Sequence, residues 1–352
     1  MCAKLNFGNN TKKLLISLLC FSFVALVTIG IQYYAFIAPN FSVPANQKAL
    51  LYIADTTTID DIIMQMEEGK WIRNSTSFKN WAKRKNYTVN HTGCYEIQDG
   101  MSNKKLISIL ASGLQKPVRF TINNIRTKTR LASSISNQLM LDSMEIMKLL
   151  CDTAFLGTYN VDTYTVIGLF IPNTYELYWN IPAKRFFDRI YSEYNHFWNE
   201  NRRAKAKVIG LTPMEVSTLA SIVEEETNIK KDKPIIAGLY LNRLKIGMPL
   251  QACPTAKFAS GDFSLTRILE EHTKIDSPYN TYKYKGLPPG PIRMPSIESI
   301  DAVLNYQKSN YLYMCAKETL NGEHNFASTL SQHQQNSRRY YQALKKAQQK
   351  PK

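Results

Sequence analysis

The chain has 352 residues, 44% of them hydrophobic and 20% charged. That length and balance allow two or three domains with real cores and exclude disorder overall. The formal net charge of +16 calls for an anionic partner. The basic residues are spread along the chain and no nucleic-acid motif is present, so a membrane surface or an acidic polymer fits better than nucleic acid.

Leu14 to Ile31 is a run without charge, extended by residues 32–37. At 1.5 Å per residue it reaches roughly 27 Å or more, enough to cross a bilayer. The reading is a transmembrane helix over 14–37. Lys4, Lys12 and Lys13 precede it and the first acid is Asp55, which puts residues 1–13 in the cytoplasm and the rest outside. Tyr33 and Tyr34 fall where an interfacial aromatic belt belongs. A cleaved signal peptide is the competing reading, but the apolar core is long and no small-x-small site follows. Residues 38–48, APNFSVPANQK, read as a polar linker.

Residues 49–115 read as a small α+β module, or two in tandem. Ala49 to Ile53 is a strand, Thr57 to Asp61 opens a helix running to about Met66 and ended by Gly69, and Ser75 to Arg84 is a second helix. Gly93 to Ile97 returns as a strand, and Ser102 caps a helix through Leu110. Ser102 to Lys105 also matches an SxxK pattern, but no KTG follows and the match is taken as coincidence.

Residues 116–125 alternate like a strand, and a helical stretch follows over 127–150. Gly168 to Ile171 reads as a short apolar strand and Pro172 to Tyr175 as a turn. Ile181 to Asn201 reads as one long helix rich in aromatics.

The helix over 213–228 is the best signalled in the chain. Thr212 is a good N-cap, Pro213 suits the first helical position and Glu215 completes a capping box. Val216, Leu219, Ala220 and Val223 make one buried stripe. Glu224, Glu225 and Glu226 follow. At about 100° per residue, Glu225 points nearly opposite the stripe and is expected in solvent. Glu226 lies roughly 70° off the stripe and Glu224 roughly 90° off on the other side, so either can border the core. A carboxylate at such a rim is partly desolvated and becomes a usable general acid. Exposure of all three at a helix end is the simpler alternative, and there the helix dipole would disfavour them.

Ile236 to Ile246 is a second amphipathic helix, followed by a loop or short strand at 249–255. Residues 278–292, with three prolines and two glycines in GLPPGPI, form a long irregular segment of the kind usually kept for function. Ser296 caps a helix through Leu304, Tyr311 to Met314 is a strand with a partner near His324 to Phe326, and a basic helix over 331–348 ends the chain. The six cysteines are widely spaced and form no framework, and the five histidines lack ligand spacing. No metal and no other cofactor is expected.

Taken together, LASIVEEET, LYLNRLKIGMPLQ, PYNTY, GLPPGPI and HNFASTLSQH, in this order and spacing, resemble the YceG-like endolytic murein transglycosylases. GCYEIQDGMS and IPNTYEL also fit, the first within the family's LysM-like module. The resemblance covers about residues 50–345. It implies an α+β protein with a single N-terminal transmembrane helix, a LysM-like module over 49–115 and a mixed α/β catalytic domain over 116–348. It implies a lyase that cuts peptidoglycan glycan strands between N-acetylmuramic acid and N-acetylglucosamine without water. The muramic acid C6 hydroxyl attacks C1 and leaves a 1,6-anhydro end. Residence in the cytoplasmic membrane and association with peptidoglycan synthases are implied as well. The last carboxylate of the family's E-x-E-T run is the catalytic one, here Glu226. Gln251, Asn280 and Tyr282 match motif positions expected to line the cleft, either as substrate contacts or as loop-holding hydrogen bonds. Cys253 stands where the family often has an acid.

An intramolecular attack needs one carboxylate, used first as acid and then as base, whereas hydrolysis usually needs two. Raising a carboxyl pKa from about 4.3 to about 6 takes roughly 2.3 kcal/mol of preference for the neutral form. Partial burial and the charge of Glu224 are the expected sources. Two other functions stay open: a wall-binding scaffold that recruits synthases without cutting, and a hydrolytic muramidase.

Overall fold

The computed structural model describes residues 9–349. Residues 1–8 of the expected cytoplasmic tail, with Cys2 and Lys4, lie outside the described residues. Two compact units are present, one from Met1–Val118 with Glu176–Asn180, the other from Arg119–Tyr175 with Ile181–Lys352. The whole is a mixed α and β structure rich in helix.

In the first unit, α1 (Asn9–Ile37) contains a stretch, Lys12–Tyr34, long and apolar enough to cross a membrane. Its large apolar side chains are exposed along their length, as a lipid-facing helix requires. β1 (Ala49–Ile53) pairs antiparallel with β2 (Gly93–Ile97), placing Leu51 opposite Tyr95. Between them run α2 (Ile59–Glu68), held by a Thr58–Asp61 capping box, and α3 (Ser75–Arg84), capped by Asn74. α4 (Asn103–Ser112) follows, and Ser102 accepts the Lys105 N–H as its cap. The SxxK serine is thus a helix cap. Leu51, Ile53, Ile62, Met66, Phe78 and Leu106 form the centre of this core.

The expected free linker differs from the structure at its start. Phe41 is fully buried in the first unit's core and stacks edge-on against Phe78. Asn40 is buried beside it, donating to Asn103 Oδ1 at 2.7 Å and to the Asn74 carbonyl at 2.9 Å. One aromatic in an otherwise polar stretch was enough to pin the chain, because a fully buried Phe stabilises by roughly 1.5–3 kcal/mol.

β3 (Val118–Ile122) and β4 (Asn173–Leu177), all but Val118, Glu176 and Leu177 of which belong to the second unit, form a two-stranded sheet. The expected continuous helix over 127–150 is broken into α5 (Lys128–Ser136) and α6 (Ser143–Leu149), because Asp142 caps the second piece. α7 (Thr153–Gly157) is short. Gly168 to Ile171 is not a strand. Val166–Leu169 is a 3-10 turn, started by the Asp162 carboxylate accepting the Tyr164 and Thr165 N–H groups. The strand begins instead at Asn173, inside the residues read as a turn. The long aromatic helix is likewise two, α8 (Ala183–Phe197) and α9 (Glu200–Val208), with Asn199 capping the second. Trp198 at the break is fully buried.

α10 (Pro213–Glu226) has the predicted Thr212–Glu215 capping box and proline start. Burial extends well beyond one stripe. Every residue from Val216 to Val223 is buried, Ser217, Thr218 and Ser221 included. Thr218 donates to the Met214 carbonyl, and Ser221 donates to the Thr218 carbonyl and accepts the Ile292 N–H, so these two hydroxyls carry no desolvation debt, whereas the Ser217 hydroxyl is buried without a partner. α10 is enclosed by α9, α11 (Lys233–Lys245), α12 (Cys253–Ser260) and α14 (Ile297–Leu304). α13 (Glu270–Thr273) is a single turn between α12 and the long loop. β5 (Tyr313–Ala316) pairs antiparallel with β6 (His324–Ala327), and α15 (Leu330–Gln348) closes the unit.

Two glycines allow close backbone approach here. A Cβ on Gly290 would meet the Tyr164 carbonyl oxygen at 2.1 Å, and one on Gly238 in α11 would meet the Gln307 carbonyl oxygen at 2.3 Å. Only hydrogen fits at either place.

Candidate active site

The three glutamates ending α10 have three different environments. None is fully exposed, so the simplest expectation, a solvated helix end, fails. Glu224 accepts from the Ser296 and Ser299 hydroxyls and pairs with the buried Lys233 at 3.3 Å. Burial pushes its carboxyl up, but these donors outweigh it and hold it below the ordinary range, so Glu224 stays ionised. Glu225 was expected in solvent. It points away from the stripe, but α10 is enclosed on that side too, and it meets Arg126 at 2.5 Å and Arg293.

Glu226 is partly buried and faces an open cleft of about 450 Å³. Burial raises its carboxyl to about 7. The Tyr240 hydroxyl, donating to Glu226 Oε1 at 2.7 Å, and the Arg243 charge both pull it down, while the Glu225 charge pushes it up. The assisting charge is therefore Glu225, not Glu224, whose field is absorbed by Lys233. A carboxyl at about 7 holds a proton half the time at neutral pH, which suits an acid that must also act as base.

Tyr240 and Arg243 come from one face of α11, three residues apart. Both are buried. Arg243 donates to the Leu312 carbonyl through Nε and to the Leu250 carbonyl through Nη1, each at 2.6 Å. It therefore ties β5 and the segment before α12 to the helix that presents Tyr240. Burial lowers its pKa, against neighbouring Tyr240 and Glu226.

Gln251 and Tyr282 both line the cleft. Gln251 is exposed and has φ of +47°, a strained conformation for a side chain of its size. Its N–H donates to the Thr281 carbonyl at 3.1 Å, which fixes the bend. Thr281 Oγ1 also accepts the Ala252 N–H at 3.1 Å and meets Thr255 Oγ1 at 2.7 Å. The Tyr282 hydroxyl lies 3.1 Å from Cys253 Sγ, at the start of α12. Burial keeps both groups protonated, pushing the thiol and the phenol up.

Asn280 is a correction. Its side chain is fully buried and is not part of the cleft wall. Its amide donates to the Thr273 and Ile275 carbonyls at 3.0 and 2.8 Å, and its Oδ1 accepts the Tyr282 N–H at 3.1 Å. Both its amide hydrogens and one lone pair of its oxygen go into holding the loop that presents Tyr282, and its full burial keeps it from a ligand.

The opposite wall comes from β5, β6 and α15. His324 Nδ1 lies 3.0 Å from Asp232 Oδ2, the residue before α11. His333 stacks on Tyr313 with ring centroids 5.4 Å apart, and its buried Nδ1 has no partner. Burial and then the Arg243 charge lower its pKa, so it is neutral at pH 7. Neither histidine was singled out from sequence, nor were Tyr240 and Arg243. The available signal was a tyrosine and an arginine one turn apart inside an apolar helix. Among the described residues lining the cleft, Glu226 is the one carboxylate.

The model of the YceG-like family matches residues 51–339. The chain belongs to the YceG-like family. Relatives named endolytic murein transglycosylase include one from Bacillus subtilis strain 168, 30% identical, with 82% of this chain and 83% of the relative aligned. Another, from Streptococcus pneumoniae strain D39, is 28% identical over 93% of this chain but only 65% of its own length. This chain thus spans about two thirds of the streptococcal relative. The crystal structure of a YceG-like protein from Listeria monocytogenes matches with a TM-score of 0.56 and 26% identity, over 83% of this chain and 99% of that one.

Proposed function

We propose that this YceG-like chain is a membrane-anchored, endolytic peptidoglycan lytic transglycosylase, a lyase of the kind its named relatives are. The observation that carries the proposal is Glu226. A single carboxyl, poised at about 7 and hydrogen-bonded by Tyr240, stands in a cleft whose described walls offer no second one. That suits chemistry in which one group serves twice.

In the first step protonated Glu226 gives its proton to the glycosidic oxygen as the C1–O bond to the departing sugar breaks. The carboxylate then takes the proton of the muramic acid C6 hydroxyl while O6 bonds to C1. The products are a free 4-hydroxyl and a 1,6-anhydro end, and Glu226 is protonated again. The nucleophile belongs to the substrate, so little entropy is lost in assembling it. Tyr240 fixes the rotamer of Glu226 and lends a proton-side hydrogen bond to the carboxylate. Gln251 and Tyr282 offer neutral polar contacts to the sugar. A water-using muramidase would need another carboxylate in the wall. A pure scaffold would have no use for a carboxyl with so raised a pKa.

The remaining assignments belong to the same reading. α1 is the anchor, with residues 1–13 in the cytoplasm and both units outside the cytoplasmic membrane. Residues 49–115 serve as a LysM-like module, supported by the order strand, helix, helix, strand in one small sheet. Residues 116–348 are the catalytic domain. Peptidoglycan synthases of the same membrane are the partners.

The test is mass spectrometry of glycans after digestion by the full chain in neutral detergent, beside Glu226→Gln. Products one water lighter than hydrolysis products, absent with the variant, are expected. Products at the hydrolytic mass would reassign the chain as a muramidase. Binding without cleavage by either protein would make it a scaffold.

A further inference from the structure

The first unit contains a basic concavity with no part in the chemistry above. It is a groove of about 640 Å³ lined by α3 and one residue of α1. Its wall includes Thr76, Asn80, Trp81, Lys83 and Arg84 from α3, and Gln32 from α1. Among the described residues lining it, none is acidic. The Arg84 guanidinium sits over the Trp81 ring, 5.2 Å from its centroid.

Depth gives this groove its meaning. Arg84 Nη1 donates to Gln32 Oε1 at 2.6 Å. Gln32 is the first polar residue after the apolar run that ends at Ile31, and Tyr33 and Tyr34, both exposed, follow it. The C-terminal end of α3 therefore stands at the level where α1 leaves the hydrocarbon. That is the headgroup layer, where tyrosine and tryptophan rings settle. Asn40 and Phe41, buried in the same unit eight and nine residues after Gln32, keep the unit close to that level.

We propose that this groove is a binding site for the headgroup of an anionic phospholipid in the outer leaflet. The inference rests on α1 spanning the membrane and goes beyond it. Lys83 and Arg84 receive the phosphate diester, with Arg84 already oriented by Gln32 and Trp81. Asn80 and Thr76 supply neutral hydrogen bonds to headgroup hydroxyls. A zwitterionic headgroup would bring its own ammonium against the two cations and gain little. The consequence is that the module is held flat at the leaflet and oriented by lipid charge rather than swinging on a tether.

The experiment is native mass spectrometry of the full chain in neutral detergent, titrated with dioleoylphosphatidylglycerol or dioleoylphosphatidylcholine. Two cations at about fivefold each predict phosphatidylglycerol adducts roughly 25-fold tighter. Lys83→Gln and Arg84→Gln should each lose about fivefold, and the double variant should bind both lipids alike. Lys104→Gln, in a different groove of the same unit, should change nothing. Equal binding of the two lipids by the native chain would overturn the proposal, as would unchanged preference in the double variant. Glycerol 1-phosphate competing as well as the lipid would also overturn it, by making the groove a free-phosphate site. Carbonate washing of membranes separates the two readings. A chain that washes off defeats the anchor and with it the proposal, whereas a chain that stays but has no lipid preference defeats the proposal alone.

Discussion

Two helix ends in this protein obey opposite rules. α3 closes on Lys83 and Arg84, cations that complement the partial negative charge of a helix C-terminus, and both are exposed. α10 closes on three carboxylates, which the same dipole disfavours by about 0.3–1 kcal/mol each. At α10 every acid has a partner from elsewhere in the chain: Lys233, Ser296 and Ser299 for Glu224, Arg126 and Arg293 for Glu225, Tyr240 for Glu226. A local preference is broken where tertiary structure can offset the cost, and the group left with the weakest compensation, Glu226, is the one whose pKa moves up to about 7. The comparison teaches where to look: not for charge, which both ends have, but for charge against the local grain.

The largest expected effect breaks the α10 end directly. Glu226→Gln should lower turnover by about 10³-fold, the range in which a general acid–base group contributes. It should also raise stability at neutral pH. A carboxyl whose pKa rises from 4.5 to about 7 on folding costs stability as pH rises through that window. The cost is absent below pH 4.5, grows between the two values and levels off above the upper one at about 3 kcal/mol. The glutamine variant carries no such cost. Melting curves of the two proteins should therefore coincide in acid and separate toward pH 7, with the variant higher. A separation that does not vary with pH would mean that Glu226 is not the titrating group.

The next effect concerns the buried ion pair. Lys233 is 7% exposed at its side chain and lies within 3.3 Å of Glu224 and 3.2 Å of Glu298. Lys233→Met should cost about 3 kcal/mol, because Glu224 is left charged without its cation. Denaturant unfolding measures it. The variant should also raise the pKa of Glu226, since an uncompensated Glu224 would then act on it, and the midpoint of the kcat/KM profile should move up.

Smaller and opposite shifts test the two groups that tune Glu226. If the protonated carboxyl starts the reaction, kcat/KM is level below about pH 7 and falls above it. Tyr240→Phe removes a hydrogen bond to the carboxylate, so that midpoint should rise while the rate drops by about tenfold through lost orientation. Glu225→Gln removes a like charge and frees Arg126 and Arg293, so the midpoint should fall. Both variants moving in one direction would break the assignment.

What was legible in the sequence divides along the range of the interaction. The capping box and proline of α10, the caps at Ser102 and Ser296, and the apolar run of α1 are read within a few residues, and all are present. The angular position of Glu226 on its helix was legible too. The surroundings of Glu225 were not, because Arg126 lies 99 residues away in the chain and Arg293 lies 68. The same holds for Asn280, whose loop-holding role depends on carbonyls that only the folded turn brings together. Short apolar runs misled in a different way. Gly168 to Ile171 has the composition of a strand, but Asp162 starts a turn ahead of it, and Met214 and Pro291 crowd Gly168. At the break after Phe197, a continuous periodic pattern hid a cap at Asn199.

The smallest effect is expected at the other helix, and it sharpens the contrast most. On α3, Lys79 meets Asp60 at 2.5 Å, a closer approach than Lys233 makes to Glu224. By distance alone it is the stronger pair. Both partners are nevertheless in water, 57% and 71% exposed. There the Coulomb gain is screened and offset by the entropy of holding two long side chains in place. Lys79→Ala should leave the melting temperature unchanged to within about 1 °C at physiological salt. A loss as large as that of Lys233→Met would mean that distance, not burial, sets the strength of ion pairs in this protein. The account of Glu226 would then fail with it, because it too makes the value of a charge depend on the water it has lost.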